Sequence, residues 1–268
     1  MHHESLAPVP NIVVTFKDLN DSGSGSLRDI FERKNLSNVI IRPMDDLVGT
    51  IVLSSPLKGT NFNNVVIDMD KRIDITGWDV ELSSGKNITM MNTAIRTGDI
   101  QIRKKYKGKR PTGSIGLDCL NIDRCENVLI TQCSLWSSCD EIVSVTRSRN
   151  VHLEYCFMVF PLGGDPLTHP YGKYHAECAN CSANEICCFY RCVFGYYRMR
   201  GPQFEPNDAE KNQLIQMQAC NNVMYAFKEA GSRYRSGPEK KSDKVKGTTY
   251  QFQYINNLSR VLLLNIIM

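Results

Sequence analysis

The chain has 268 residues, 42% of them hydrophobic and 22% charged, with a formal net charge of +4. That composition excludes a chain disordered in bulk and supplies enough apolar material for a sizeable core. No run approaches the roughly 18 consecutive apolar residues of a membrane-spanning helix, and the small positive excess permits an acidic partner without demanding one.

Residues 1–30 lack the apolar stretch and small-residue cleavage site of a secretion signal, so cytoplasmic synthesis is expected and secretion is not. The first predicted element is a short helix over 26–34. Leu27, Ile30 and Phe31 fall on one helix face, and Ser26, after Gly23-Ser24-Gly25, is placed to cap its N-terminus.

Beyond the helix a phrase repeats: Asn followed by apolar or β-branched residues. It occurs at Asn38-Val39-Ile40-Ile41, Asn64-Val65-Val66-Ile67, Asn87-Ile88-Thr89-Met90, Asn127-Val128-Leu129-Ile130, Asn150-Val151-His152-Leu153 and Asn222-Val223-Met224-Tyr225. Successive offsets are 26, 23, 40, 23 and 72 residues. The 72 reads as three periods of 24, and the 40 as one period carrying an inserted, basic, Gly-containing loop over 99–116. Within a period, Val65-Val66-Ile67, Ile73-Asp74-Ile75-Thr76 and Val80-Glu81-Leu82 are short runs separated by Asp, Gly, Ser or Asn, which is strand punctuation. A fixed period in this range signals a solenoid, and solenoids need end caps. The fold expected is an all-β, right-handed parallel β-helix, a single domain over 1–268, with 26–34 as its N-terminal cap. Stacking at this period places Cys133 over Cys156 in the interior. It also puts each Asn in the same turn of successive coils, a place that suits an Asn because it tolerates left-handed backbone.

The run Cys133-Ser134-Leu135-Trp136-Ser137-Ser138-Cys139-Asp140-Glu141-Ile142 sets an acidic pair in a turn between two strand-like segments, which points to a cation site. Further on, Ser/Lys-rich residues 231–248 read as a loop and the apolar residues 261–268 as a last buried strand. The 11 cysteines, with no secretion signal, read as reduced, buried thiols. The basic stretch 103–110 reads as a solvated loop. Nucleic acid is therefore not an expected partner, and 103–110 is the place it would bind.

Several segments together resemble the pectate lyase family of parallel β-helices. They are Leu19-Asn20-Asp21-Ser22-Gly23-Ser24-Gly25-Ser26-Leu27-Arg28-Asp29 before the cap helix, Gly49-Thr50-Ile51-Val52-Leu53 in the first coil, and Asp118-Cys119-Leu120-Asn121-Ile122. The Cys133–Ile142 run, His169-Pro170-Tyr171-Gly172 and Arg200-Gly201-Pro202 follow in the family's order. The likeness covers about 20–225 and rests on the ordered set. Four positions depart from it: Thr131-Gln132 stand where the family has Asp-His, Glu205 where a basic residue is common, and Phe160 where an acid is usual.

The resemblance implies β-elimination on an acidic polysaccharide with Ca2+ as cofactor. Asp118, Asp140 and Glu141 are then the implied calcium ligands and Arg200 the base. Arg198, His169, Lys173 and His175 are implied contacts of the substrate, while Trp136 either stacks on a sugar or packs inward. The changed groove residues keep open a non-catalytic β-helix, binding carbohydrate or serving as a structural, virion-associated protein, because fold does not fix chemistry.

Overall fold

The computed structural model describes residues 9–107, 118–162, 177–183, 185–205, 214–229, 231–234 and 249–260. His169, Lys173, His175, most of the loop over 231–248 and the strand expected over 261–268 lie outside the described residues.

Three parallel sheets run the length of the molecule, and the chain visits them in rotation. Among the described residues the first sheet has nine strands, the second eight and the third seven. One coil shows the pattern: Asn63–Asp68 lies in the first sheet, Ile73–Thr76 in the second and Val80–Ser83 in the third, before Lys86–Met91 returns to the first. This is the right-handed parallel β-helix expected from the sequence.

Residues alternate between the interior and the surface. In Lys86–Met91, Ile88 and Met90 are buried, while Asn87, Thr89 and Met91 are half-exposed. Pairing in register then stacks like on like. Val65, Ile88, Val128, Val151, Cys187 and Met217 form one buried column of the first sheet. Ile75, Ile95, Leu135, Met158, Phe194 and Met224 form another in the second. Leu135 sits in the middle of that column, so Leu135→Ala is expected to lower stability by about 2–5 kcal/mol, as read from urea denaturation.

Polar ladders trace the turns. Asn64 donates to Asn38 at 2.8 Å, Asn127 to Asn87 at 2.9 Å and Asn150 to Asn127 at 2.9 Å. All five have positive φ, between 51° and 57°, where Asn is tolerated better than most residues. Asn222 does not continue this ladder. Val151 pairs with Cys187 and Cys187 with Met217, steps of 36 and 30 residues, whereas Val223 pairs with Val193 in the second sheet. The 72-residue offset thus combines two unequal coils with a shift of sheet, and is not three periods of 24. Asn222 accepts instead from Cys192 N at 2.8 Å, extending the buried stack of Cys133, Cys156 and Cys192. Each of these thiols donates to a strand carbonyl, as in Cys156 to Glu154 O at 3.3 Å.

Helix α1 (Leu27–Phe31) covers the N-terminal end of the coil interior with Leu27, Ile30 and Phe31, and Ser26 Oγ accepts from Asp29 N at 3.2 Å. Part of the expected loop over 99–116 is a second helix, α2 (Ile100–Lys105). Two of its cations are engaged: Arg103 pairs with Asp99 at 2.7 Å, and the Lys105 ammonium lies 4.6 Å from the Trp78 ring centre. No described helix is long and apolar enough to cross a membrane.

Candidate functional site

The turn from the second sheet to the third carries the acidic run. Ser137 takes a left-handed φ of 60°, and Ser138 Oγ donates to Asp140 O at 3.2 Å, folding the turn back before the strand Glu141–Thr146. Ile142, Val143 and Val145 bury themselves in the core, which fixes the direction of Glu141 at the strand's first residue.

Register does the rest. Glu141 pairs with Glu177 in the next coil, and Asp118, just ahead of the strand Leu120–Asp123, lies beside Glu141 from the coil before. Asp118 Oδ1 accepts from Glu141 N at 3.0 Å. Three carboxylates from successive coils therefore line one edge of the third sheet, at the strand spacing of about 4.8 Å per coil. All three are buried.

Arg200 arrives from the coil after Glu177, in a left-handed turn with φ 64°. Its carbonyl accepts from Ala179 N at 2.6 Å. Its guanidinium forms ion pairs with both Glu141 and Glu177, and its side chain is only 13% exposed.

The cluster holds more negative charge than Arg200 balances. Burial drives the Asp118 carboxyl well above the usual range, with repulsion from Asp140 and then Asp79 adding to it. Burial likewise raises Glu141, helped by Asp140 and Asp118 and opposed by Arg200. Asp79, fully buried one coil back, is pushed up to about 7, chiefly by burial and next by Glu81. These are the environments in which a cation is most stabilising.

The donor set suits a hard cation. One oxygen from each of Asp118, Asp140 and Glu141 lies within 4.8 Å of the others, and oxygens sharing a calcium at about 2.3–2.6 Å each can be up to about 5 Å apart. Asp140 is half-exposed, so the group opens to solvent on its side.

Four residues named from the sequence (Asp118, Asp140, Glu141 and Arg200) thus come together in one place. Arg198 pairs with Glu229 at 2.6 Å. Trp136 takes an outward position in its strand, alternating with the buried Leu135, and is half-buried. Inward packing of its ring is therefore not observed. Sequence reasoning missed Glu177 and Asp79. The step from Glu141 to Glu177 is 36 residues, well off the expected period, so no repeat-based alignment would have stacked the two. Asp79 could have been found from the pairing of Val80 with Leu120, which places it one residue out of step with Asp118.

The fold has relatives among solved structures. Jun a 1, the major allergen from cedar pollen, is 13% identical and superposes with a TM-score of 0.52 over 93% of this chain and 78% of its own. A pectate lyase from Paenibacillus sp. 0602 is 11% identical, with a TM-score of 0.52 over 82% of this chain and 61% of its own. The chain thus spans less than two thirds of that enzyme's length. Likeness at such identities is a likeness of fold alone. No protein-family model and no curated protein sequence matches the chain.

Proposed function

We propose that the protein cleaves an acidic polysaccharide by calcium-assisted β-elimination at the carboxylate–arginine cluster on the third sheet. The observation that carries this reading is the convergence of three carboxylate oxygens within 4.8 Å, with Arg200 in contact with one of the three side chains. Asp118, Asp140 and Glu141 are the residues that would hold the ion, as oxygen donors suited to a hard cation. Calcium, when bound, supplies Lewis acidity toward a sugar carboxylate. Arg200 is the candidate base for the proton on C5. As that proton leaves, its electron pair forms the C4=C5 bond and the C4–oxygen bond breaks, with solvent protonating the departing oxygen. Asp140, the half-exposed member, faces an incoming ligand first.

A second reading draws on the ion pairs of Arg200. A guanidinium bound by two buried carboxylates gives up both pairs if it surrenders a proton, which favours a site that binds an acidic glycan through the same cation and leaves it intact.

The test is ultraviolet absorbance of the unsaturated product, with polygalacturonate and other polyuronates, with and without calcium. The lyase reading expects a calcium-dependent rise. It also expects Asp140→Asn to need roughly tenfold more calcium, and Arg200→Lys to lose about 10²–10⁴ in rate, the usual contribution of a positioned base. Calcium-dependent binding without any rise in absorbance establishes the second reading and ends the first.

A further inference from the structure

We propose that the Phe160 ring is a stacking platform for a pyranose ring, forming a sugar subsite one coil along from the turn that carries Asp140; the acidic nature of that sugar rests on the function proposed above, the platform itself does not. Phe160 and Tyr196 occupy the same turn position in successive coils, where the backbone ladder runs Gly98 N to Ser137 O at 2.7 Å, Ser137 N to Phe160 O at 3.1 Å, and Phe160 N to Gly195 O at 3.1 Å. Their rings are stacked, 4.2 Å apart and 12° from parallel, and Tyr225 meets Tyr196 edge-on at 5.2 Å. One face of Phe160 is thus spent on Tyr196. Stacking order turns the other toward the coil of Ser137 and the coil of Gly98 beyond it.

Those two positions leave room among the described residues: Ser137 is small, and a Cβ added to Gly98 would meet none of their atoms within 4 Å. Two coils at about 4.8 Å each span nearly 10 Å above the ring, a height that would take one sugar lying flat, and among the described residues that turn position holds only Ser137 and Gly98 there. Phe160 is 48% exposed, although an aromatic ring of this size gains most by burial. Ser137 precedes Asp140 by three residues in the same turn, so a sugar on Phe160 lies on the approach to the carboxylates. Tyr155, equally exposed on the next corner, makes the contrast: the Arg191 guanidinium sits 5.7 Å from its ring centre on the following coil, and Gln132, not a small residue, precedes it.

A pyranose has an apolar face of axial C–H groups that an aromatic ring matches, and the contact leaves its hydroxyls and carboxylate free at the rim. Binding of a galacturonate tetramer and of a neutral xylose tetramer, measured by titration calorimetry with and without calcium, tests the platform. Phe160→Ala is expected to weaken binding about five- to tenfold. Phe160→Tyr should restore it and Tyr155→Ala should leave it unchanged. Equal affinity in the wild type and Phe160→Ala overturns the platform, as does failure of the wild type to bind either tetramer; calcium-dependent cleavage would survive the first of these results. Binding that depends on Phe160, in a protein that makes no unsaturated product, keeps the platform and removes the lyase.

Discussion

Arg200→Ala is expected to lower folding stability by about 3–5 kcal/mol at neutral pH in calcium-free buffer, measured by urea denaturation. Removing one partner of a buried ion pair is costly, and Arg200 takes part in two, with the buried Glu141 and the buried Glu177. The loss should shrink in Arg200→Ala/Glu141→Gln, because a neutral amide needs no counter-ion, and the double variant should fall short of the sum of the singles. Acid should shrink it as well. Glu141 already sits well above its usual range through burial, Asp140 and Asp118, and Arg200 is the opposing influence. With the arginine gone Glu141 protonates more readily, so the folded variant binds more protons than the unfolded chain and gains stability as pH falls. Calcium supplies the decisive comparison. If the cluster is a cation site, Arg200 competes with the ion for Glu141, and Arg200→Ala should bind calcium more tightly than the wild type while losing turnover. A loss below 1 kcal/mol, or weaker calcium binding in the variant, would sink this account of the cluster.

The coil was legible in the sequence because its cause is local and repeated. Each Asn phrase places an apolar pair two residues apart, which buries one face of a strand whatever lies elsewhere, and constant steps from Asn64 to Asn87 and from Asn127 to Asn150 reveal the stacking. The cap helix was legible for a similar reason, since Ser26 and the triad Leu27, Ile30 and Phe31 act within two turns. The later coils were not. Between Val151 and Met217 the steps lengthen to 36 and 30, and a repeat read by eye assigns Asn222 to the wrong sheet. The same irregularity hid Glu177. Asp140 and Glu141 were legible as an acidic pair in a turn, Asp118 and Arg200 only through a resemblance, and their meeting is a matter of register. The second ion pair of Arg200 follows from no spacing in the chain. Nor does the stacking of Phe160 on Tyr196, since Phe160 reads in isolation as a mere departure from a pattern.

Asp79→Asn should stabilise the protein at neutral pH by about 4 kcal/mol. Asp79 is fully buried. Its Oδ2 accepts from Asn121 Nδ2 at 3.2 Å, while its Oδ1 has no hydrogen-bond partner among the described residues. Burial and then Glu81 push its carboxyl from 3.8 to about 7. The sign follows from where the proton goes. Between about pH 4 and pH 7 the folded state keeps a proton that the unfolded chain releases, so stability falls as pH rises through that window and the full cost is present above it. Three pH units correspond to about 4 kcal/mol, or roughly 10 °C in melting temperature for a domain of this size. Because other carboxylates titrate in the same range, the quantity to measure is the difference between wild type and Asp79→Asn, from melting curves at pH 4 to 8. It should be near zero at pH 4 and largest above pH 7; a difference that does not change with pH refutes the assignment. Repeating the series with calcium connects this cost to the site. Asp79 raises Asp118 by repulsion, so a cation held by Asp118 would relieve both. Calcium should then narrow the gap between wild type and Asp79→Asn at pH 7 and leave it unaltered at pH 4, where the buried acid is already neutral. A cation near Asp118 would offset a cost that Asn121 and Lys58 only partly oppose, and that makes Asp79 a reporter of whether the cluster is built for an ion.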